Sequence, residues 1–137
     1  MNPVLVNSIE SFLQTLGLPP AEISTLLHQN HISLELESGS VFLEECGGRL
    51  LLAVVKQVPD HEIMTAIIPL LREVGEQMVM TGGLQVGLKG ENQIIVATQM
   101  EIDVASSPQI AASLDRILNL YAKCGVNGMS TGMGGYR

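Results

Sequence analysis

The stretch Arg49-Leu50-Leu51-Leu52-Ala53-Val54-Val55-Lys56 decides the fold that the sequence predicts. Six apolar residues in a row stand between two cationic ones, and such a run is typical of a strand that is covered on both faces. A strand with one face in water would instead alternate apolar and polar residues. We therefore expect residues 49–56 to form the central strand of a sheet.

Two segments on the N-terminal side of this strand predict two further strands. Residues 32–36 alternate apolar and polar side chains, and residues 40–46 follow as the next strand. The pairs Ser38-Gly39 and Gly47-Gly48 are short enough for tight turns, because glycine adopts positive φ without steric cost. The three strands are therefore predicted to form an antiparallel meander.

The N-terminal residues predict two helices. Asn2 is a good helix cap, Pro3 suits the first helical position, and the apolar residues that follow recur on one face until Gly17. A second helix of at most two turns is predicted at residues 21–27. After the meander, the pattern predicts a longer helix.

That longer helix is capped by Asp60 and runs to about Met78. Pro69 lies inside it, and we expect a kink or a break there because proline removes a backbone hydrogen bond and clashes with the preceding turn.

The remaining residues predict two strands, a helix and a tail. The strands cover residues 84–88 and 93–104, and the helix starts at Ser107-Pro108, with Ser107 as its cap. The order helix, three strands, helix, two strands, helix is α+β, and residues 1–126 are predicted to form a single domain. Residues 127–137 are rich in glycine and are predicted to be a flexible tail.

Composition and charge limit the possible functions. The chain of 137 residues has a net charge of −7 and scattered cations, which argues against nucleic-acid binding. Hydrophobic residues make up 46% of it and charged residues only 15%, which is more apolar surface than one small core needs. The sequence contains neither a run of about 18 uncharged apolar residues nor the basic start of a signal peptide. We therefore expect a cytoplasmic protein that binds other proteins, with Cys46 and Cys124 reduced.

Motifs for catalysis and metal binding are weak. Residues 128–132 match the G-x-S-x-G pattern of a hydrolase nucleophile, but that motif needs a strand before it and a helix after it. His28 and His31 are three residues apart, a spacing that suits metal ligands only on a helix, whereas His31 opens a strand. Glu44 and Glu45 are adjacent on a strand and point to opposite faces. We predict no enzyme activity, no metal site and no cofactor.

The order of the elements resembles that of the class I chaperones of bacterial type III secretion, which have the CesT-type fold. The resemblance spans roughly residues 4–126. The chain is more similar to the InvB/SpaK group of this family, and the glycine-rich tail departs from the family pattern. The segments that carry the closer resemblance link the first helix to the first strand: Gly17-Leu18-Pro19-Pro20, His28-Gln29-Asn30-His31 and Ile32-Ser33-Leu34-Glu35-Leu36.

The resemblance implies a virulence chaperone that forms a homodimer. Such a protein holds the N-terminal segment of a secreted effector in an extended form and keeps it competent for secretion, without ATP. The expected effector groove contains Phe12, Leu16, Leu34 and Phe42. The expected dimer interface contains Ile67, Leu70, Leu71, Leu84, Val86 and Leu88.

Two other functions fit the composition. One is a small enzyme or ligand-binding protein that uses an apolar cavity between the helices and the sheet, although the sequence offers no converging set of catalytic residues for it. The other is a plain dimerisation module.

Overall fold

One five-stranded antiparallel sheet carries the fold. This computed structural model describes residues 1–76 and 83–126. The order of the strands across the sheet is β1-β2-β3-β5-β4, so the predicted α+β class and the meander are confirmed. The strands are β1 (His31–Leu36), β2 (Gly39–Cys46), β3 (Arg49–Gln57), β4 (Gln85–Lys89) and β5 (Gln93–Glu101).

The described residues form helices before, between and after the strands. The helices are α1 (Pro3–Thr15), α2 (Pro20–Leu27), α3 (Ile63–Glu76) and α4 (Ser107–Lys123), and 3₁₀ turns occupy Asp60–Glu62 and Ile102–Val104. Asn2 caps α1 as predicted, because its side-chain oxygen accepts a hydrogen bond from the N–H of Val4 at 2.8 Å.

β3 lies at the centre of the sheet, as predicted. Leu50, Leu52 and Val54 share one face of this strand, and none of them is accessible to solvent. The buried apolar residues of all the helices in the described chain join these three in one hydrophobic core. We call this side of the sheet the helix face.

The opposite side of the sheet, which we call the open face, carries Leu51, Ala53 and Val55 of β3. Ala53 and Val55 are buried, but they do not belong to the core that the helices form, and Leu51 is only half-buried. The prediction that the central strand is covered on both faces is therefore confirmed on the helix face, whereas on the open face it holds for Ala53 and Val55 but not for Leu51.

Tyr121 of α4 connects the helix face to two strands. Its ring is fully buried, and its hydroxyl lies 2.8 Å from the carbonyl oxygen of Val54 and 3.0 Å from that of Ile94. These carbonyls belong to β3 and β5, which are neighbours in the sheet. The position of α4 on the sheet is therefore set by hydrogen bonds as well as by packing.

The turns of the meander differ from the prediction at one position. The first turn contains residues 37–38, one residue earlier than predicted, because Leu36 already pairs with Gly39. Gly47 and Gly48 form the second turn as predicted, with φ of 55° and 80°, the left-handed conformation that a two-residue hairpin of this type requires.

Other predicted boundaries also need correction. β5 ends at Glu101, because its partner strand begins at Arg49 and offers residue 102 nothing to pair with. Ser106, not Ser107, caps α4, since its hydroxyl accepts a hydrogen bond from the N–H of Gln109 at 3.3 Å. The helix α3 runs through Pro69 without a break, so of the two predicted outcomes, a kink or a break, the break is wrong and the kink stays a prediction.

Asp60 lies in the 3₁₀ turn that precedes α3 and so does not cap that helix directly. Met78, the predicted end of this helix, lies outside the described residues. The same holds for residues 127–137, so the predicted tail and the domain boundary before it stay predictions.

Candidate functional site

The four residues of the expected effector groove do not form one surface. Phe12 and Leu34 are buried in the core on the helix face. Leu16 is the C-cap of α1 on that same side and is partly buried. Phe42 pairs with Ser33 and points to the open face. Of the four, Phe42 and Leu16 therefore offer accessible surface, on opposite sides of the sheet.

The residues of the expected dimer interface divide into buried and exposed ones. Ile67, Leu70 and Leu84 lie in the core, where they cannot contact a partner. Val86 is partly buried, whereas Leu71 and Leu88 are 50% and 52% exposed. The location on α3 and β4 thus remains available to a second copy, through Leu71, Leu88 and the accessible part of Val86, but not through the three buried residues.

Exposed apolar residues form a continuous line on α3, which we call the α3 stripe: Met64, Ile68 and Leu71. They are spaced by four and three residues and therefore lie on one side of the helix, with exposures of 60%, 44% and 50%. The core residues Ile67 and Leu70 lie on the adjacent side. Because both sides are apolar, the sequence could not tell which one faces the core, and Met64 and Ile68 were missed.

A second apolar surface lies on the open face, around Phe42. The half-buried neighbours of Phe42 on this face include Leu51 of β3 and Ile95 of β5. The Nζ atom of Lys89 lies 4.7 Å from the centre of the Phe42 ring, a cation–π contact. Since β3 and β5 separate β2 from β4, this contact shows that the sheet curls across its open face. We call this surface the Phe42 patch; its members are Phe42, Leu51, Ala53, Val55, Ile95 and Ala97.

The edges of the sheet complete the list of surfaces that can bind a polypeptide. Among the strands of the described residues, β1 and β4 each pair with one neighbour. The outward backbone groups of an edge strand can pair with an added strand. β1 is next to β2, which carries Phe42, so its edge and the Phe42 patch lie on the same half of the sheet.

The described residues offer no chemistry for catalysis or metal binding. No group of three or more His, Cys, Asp and Glu side chains in the described ranges could hold a metal ion. His28 and His31 are exposed, and residues 128–132 with the G-x-S-x-G pattern lie outside the described residues. Cys46 and Cys124 are free thiols, and burial raises the pKa of Cys124, which lowers its reactivity. None of the described helices has the length and apolar character that crossing a bilayer requires.

Comparison with solved structures identifies the fold. A scan against protein-family models and a search of the curated proteins find no match. The chain is similar to the ExsC–ExsE complex, with a TM-score of 0.70 and 17% identity over 93% of this chain and 98% of that one. It is also similar to the HopA1–SchA chaperone–effector complex, with a TM-score of 0.64 and 14% identity over 88% and 91% of the two chains. The chain has a type III secretion chaperone fold.

Another similar structure is the type III secretion chaperone SycH of Yersinia pestis in complex with a fragment of YscM2. The TM-score is 0.62, and the identity is 16% over 88% of this chain and 98% of that one. The sequence also suggests the chaperone of the effector ExoU, by length and acidity. The ExoU–SpcU complex of Pseudomonas aeruginosa is similar in fold, with a TM-score of 0.56 and 17% identity over 85% of this chain and 93% of that one.

The same fold also occurs in proteins described in other terms. YbjN of E. coli, described as a putative transcription regulator, has a TM-score of 0.54 and 11% identity over 93% of this chain and 96% of that one. At such identities the likeness shows the fold alone, and the function has to be argued from the surfaces of this chain.

Proposed function

We propose that the protein is a cytoplasmic class I chaperone of type III secretion. It forms a homodimer and holds the N-terminal segment of a secreted effector, without ATP and without catalysis. The observation that carries this proposal is a pair of apolar surfaces, the exposed α3 stripe and the partly accessible Phe42 patch, on a fold that solved chaperone–effector complexes share.

The α3 stripe suits a second copy of the chain. Met64, Ile68 and Leu71 are each at least 44% exposed, and Leu88 of the neighbouring strand β4 is 52% exposed. Large aliphatic side chains at this density are typical of homodimer interfaces, which are more apolar than the rest of a protein surface. A two-fold axis through this region would let the same residues cover one another.

The Phe42 patch and the edge of β1 suit an extended effector segment. An unfolded segment must place its apolar side chains on a surface and satisfy its backbone hydrogen bonds, and an apolar patch beside an edge strand is a surface on which extended peptides bind. The segment orders only when it binds, so its affinity depends on a few apolar anchors among many weak contacts. The net charge of −7 keeps such a chaperone soluble while its apolar surfaces are empty.

The packing of the core argues against an enzyme with a cavity between the helices and the sheet. Ile9 of α1, Leu52 of β3 and Ile117 of α4 are inaccessible to solvent, so the space between these elements is filled by the chain's own side chains. A plain dimerisation module would use the α3 stripe, but it would have no need for the Phe42 patch.

Co-purification with a variant of the Phe42 patch tests this proposal. The tagged chain, expressed in its own bacterium, should bring down one abundant and much larger protein. Phe42→Asp places a charge in the patch and should reduce recovery of that protein by at least about tenfold, the loss expected for a binding anchor. Gln109→Asp, at an exposed position of α4, adds the same charge elsewhere and should leave recovery unchanged.

Thermal melts followed by circular dichroism separate a binding defect from unfolding. Phe42 is half-buried, so Phe42→Ala serves as a milder second variant. The proposal fails if the wild-type chain recovers no partner in stoichiometric amounts, or if both folded Phe42 variants recover it as well as the wild type does.

A further inference from the structure

A depression that neither proposed interface uses lies at the end of the sheet where β2 turns into β3. It has a volume of about 400 Å³. The first turn of α1, the β2–β3 turn and the 3₁₀ turn after β5 surround it, and α1 and that 3₁₀ turn are in contact. The lining residues are Asn2, Val4, Gly48, Glu101, Ile102 and Asp103.

A valine and an isoleucine give this depression an apolar lining. Val4 is 63% exposed on α1 and lies outside the line of core residues that α1 buries. Ile102 is only partly buried against the core. Both side chains line the depression, Val4 from the first turn of α1 and Ile102 from the 3₁₀ turn after β5.

Charge determines which kind of partner fits. Two carboxylates, Glu101 and Asp103, line the depression. Arg49 forms an ion pair with Glu101 at 3.0 Å, and both side chains are more than half exposed. Asp103 therefore leaves the site with an excess negative charge, on a chain whose net charge is −7. A cationic side chain is attracted to this surface, whereas an acidic one is repelled.

We propose that this depression binds an extended polypeptide segment of a partner protein in which an apolar side chain is flanked by Lys or Arg. The apolar side chain contacts Val4 and Ile102, and the cation pairs with Asp103. The volume accommodates only one or two side chains, so the contact is weak by itself. It strengthens the binding of a partner that is already held at another interface, because that interface keeps the segment at a high local concentration. This site is separate from the Phe42 patch and from the α3 stripe and goes beyond the proposed function.

Titration of the ¹⁵N-labelled full chain, followed by NMR, tests the proposal. The probe is a short capped peptide in which leucine and lysine alternate, and the comparison peptide has glutamate in place of lysine. The lysine peptide should shift the amide signals of Val4, Gly48, Asp103 and Val104, with an affinity that falls when the salt concentration rises to about 0.5 M. The glutamate peptide should shift none of them.

Variants of exposed residues provide the control. Asp103→Asn combined with Val4→Ser should weaken binding of the lysine peptide by about fivefold or more, the loss expected for one exposed ion pair and one apolar contact. Asp115→Asn, at an exposed position of α4, should leave it unchanged. The proposal is wrong if the lysine peptide shifts signals only on the open face or on α3, if both peptides bind equally, or if the double variant binds as the wild type does.

Discussion

At the scale of single residues, Tyr121 connects a helix to two strands of the sheet. Its hydroxyl is within hydrogen-bond distance of the carbonyl oxygens of Val54 and Ile94, and burial raises its pKa far above the ordinary value. Lys56 lies over the Tyr121 ring, with its Nζ atom 5.0 Å from the ring centre, and donates a hydrogen bond to the carbonyl oxygen of Val126 at 3.4 Å. The end of α4 is thereby fixed to β3.

Tyr121→Phe tests this role. The variant keeps the ring and removes the hydroxyl, so two buried carbonyls lose a donor that they share. The free energy of unfolding should fall by about 1–2 kcal/mol, measured by urea denaturation with an unchanged m-value. An unchanged free energy of unfolding would mean that the hydroxyl contributes nothing to stability.

The same variant gives a second result at alkaline pH. Because folding raises the pKa of Tyr121, its contribution to stability is complete below the pKa of an unfolded tyrosine, about 10, and is lost as the pH rises beyond it. The wild type should therefore lose more stability than Tyr121→Phe when melts at pH 9 and pH 11 are compared. Equal losses in the two proteins would contradict the raised pKa.

At the scale of elements, two glycines on strands differ in their tolerance of a side chain. Gly39 has φ of 139°, and a Cβ atom there would lie 3.0 Å from the carbonyl oxygen of Val55. A Cβ atom at Gly87 of β4 would meet Ile95 at an ordinary 3.6 Å. Gly39→Ala should therefore reduce the free energy of unfolding by about 1–3 kcal/mol, whereas Gly87→Ala, the matched control, should change it by less than about 1 kcal/mol. Similar urea midpoints for both variants would contradict the steric conflict expected for a side chain at Gly39.

The elements themselves were predicted well from local patterns, because the run 50–55 and the glycine turns have a direct geometric meaning. The errors in element boundaries and in the exposed side of α3 occurred where one sequence pattern is compatible with two structures. Apolar residues at 100, 102 and 104 continued the alternation of β5, but a strand ends where its partner ends. On α3, the adjacent apolar lines through Ile67 and Ile68 were indistinguishable without knowing on which side the sheet lies.

The site was predicted less well than the fold for a related reason. Phe12 and Leu34 were chosen because they are apolar, and apolar residues fill the core before they form a surface. Phe42 is accessible because the described helices cover only the opposite face of the sheet, a fact of tertiary structure that no local pattern contains. The expected absence of catalysis and of a cofactor stays a prediction.

At the scale of the whole molecule, the α3 stripe predicts the oligomeric state. Light scattering at micromolar concentration should give about twice the chain mass of 14.7 kDa. Ile68→Glu should shift the protein toward the monomer, because it places a carboxylate in the centre of the stripe. Gln109→Glu, on the exposed side of α4, is the control and should remain dimeric.

A monomeric wild type would contradict the proposed homodimer but not the effector site, which lies on the other side of the sheet. A dimer that persists in Ile68→Glu would mean that the two chains meet elsewhere. Melting curves of each variant establish that the monomer, where it appears, is folded.

The order of the strands also determines when the sheet can be completed during protein synthesis. β1, β2 and β3 follow one another along the chain, so they can pair as soon as they leave the ribosome. The other edge of β3 must wait for β5, which begins at Gln93, whereas β3 ends at Gln57. During that interval the most apolar strand of the protein presents unpaired backbone groups along one edge, and such an edge is prone to pair with other chains.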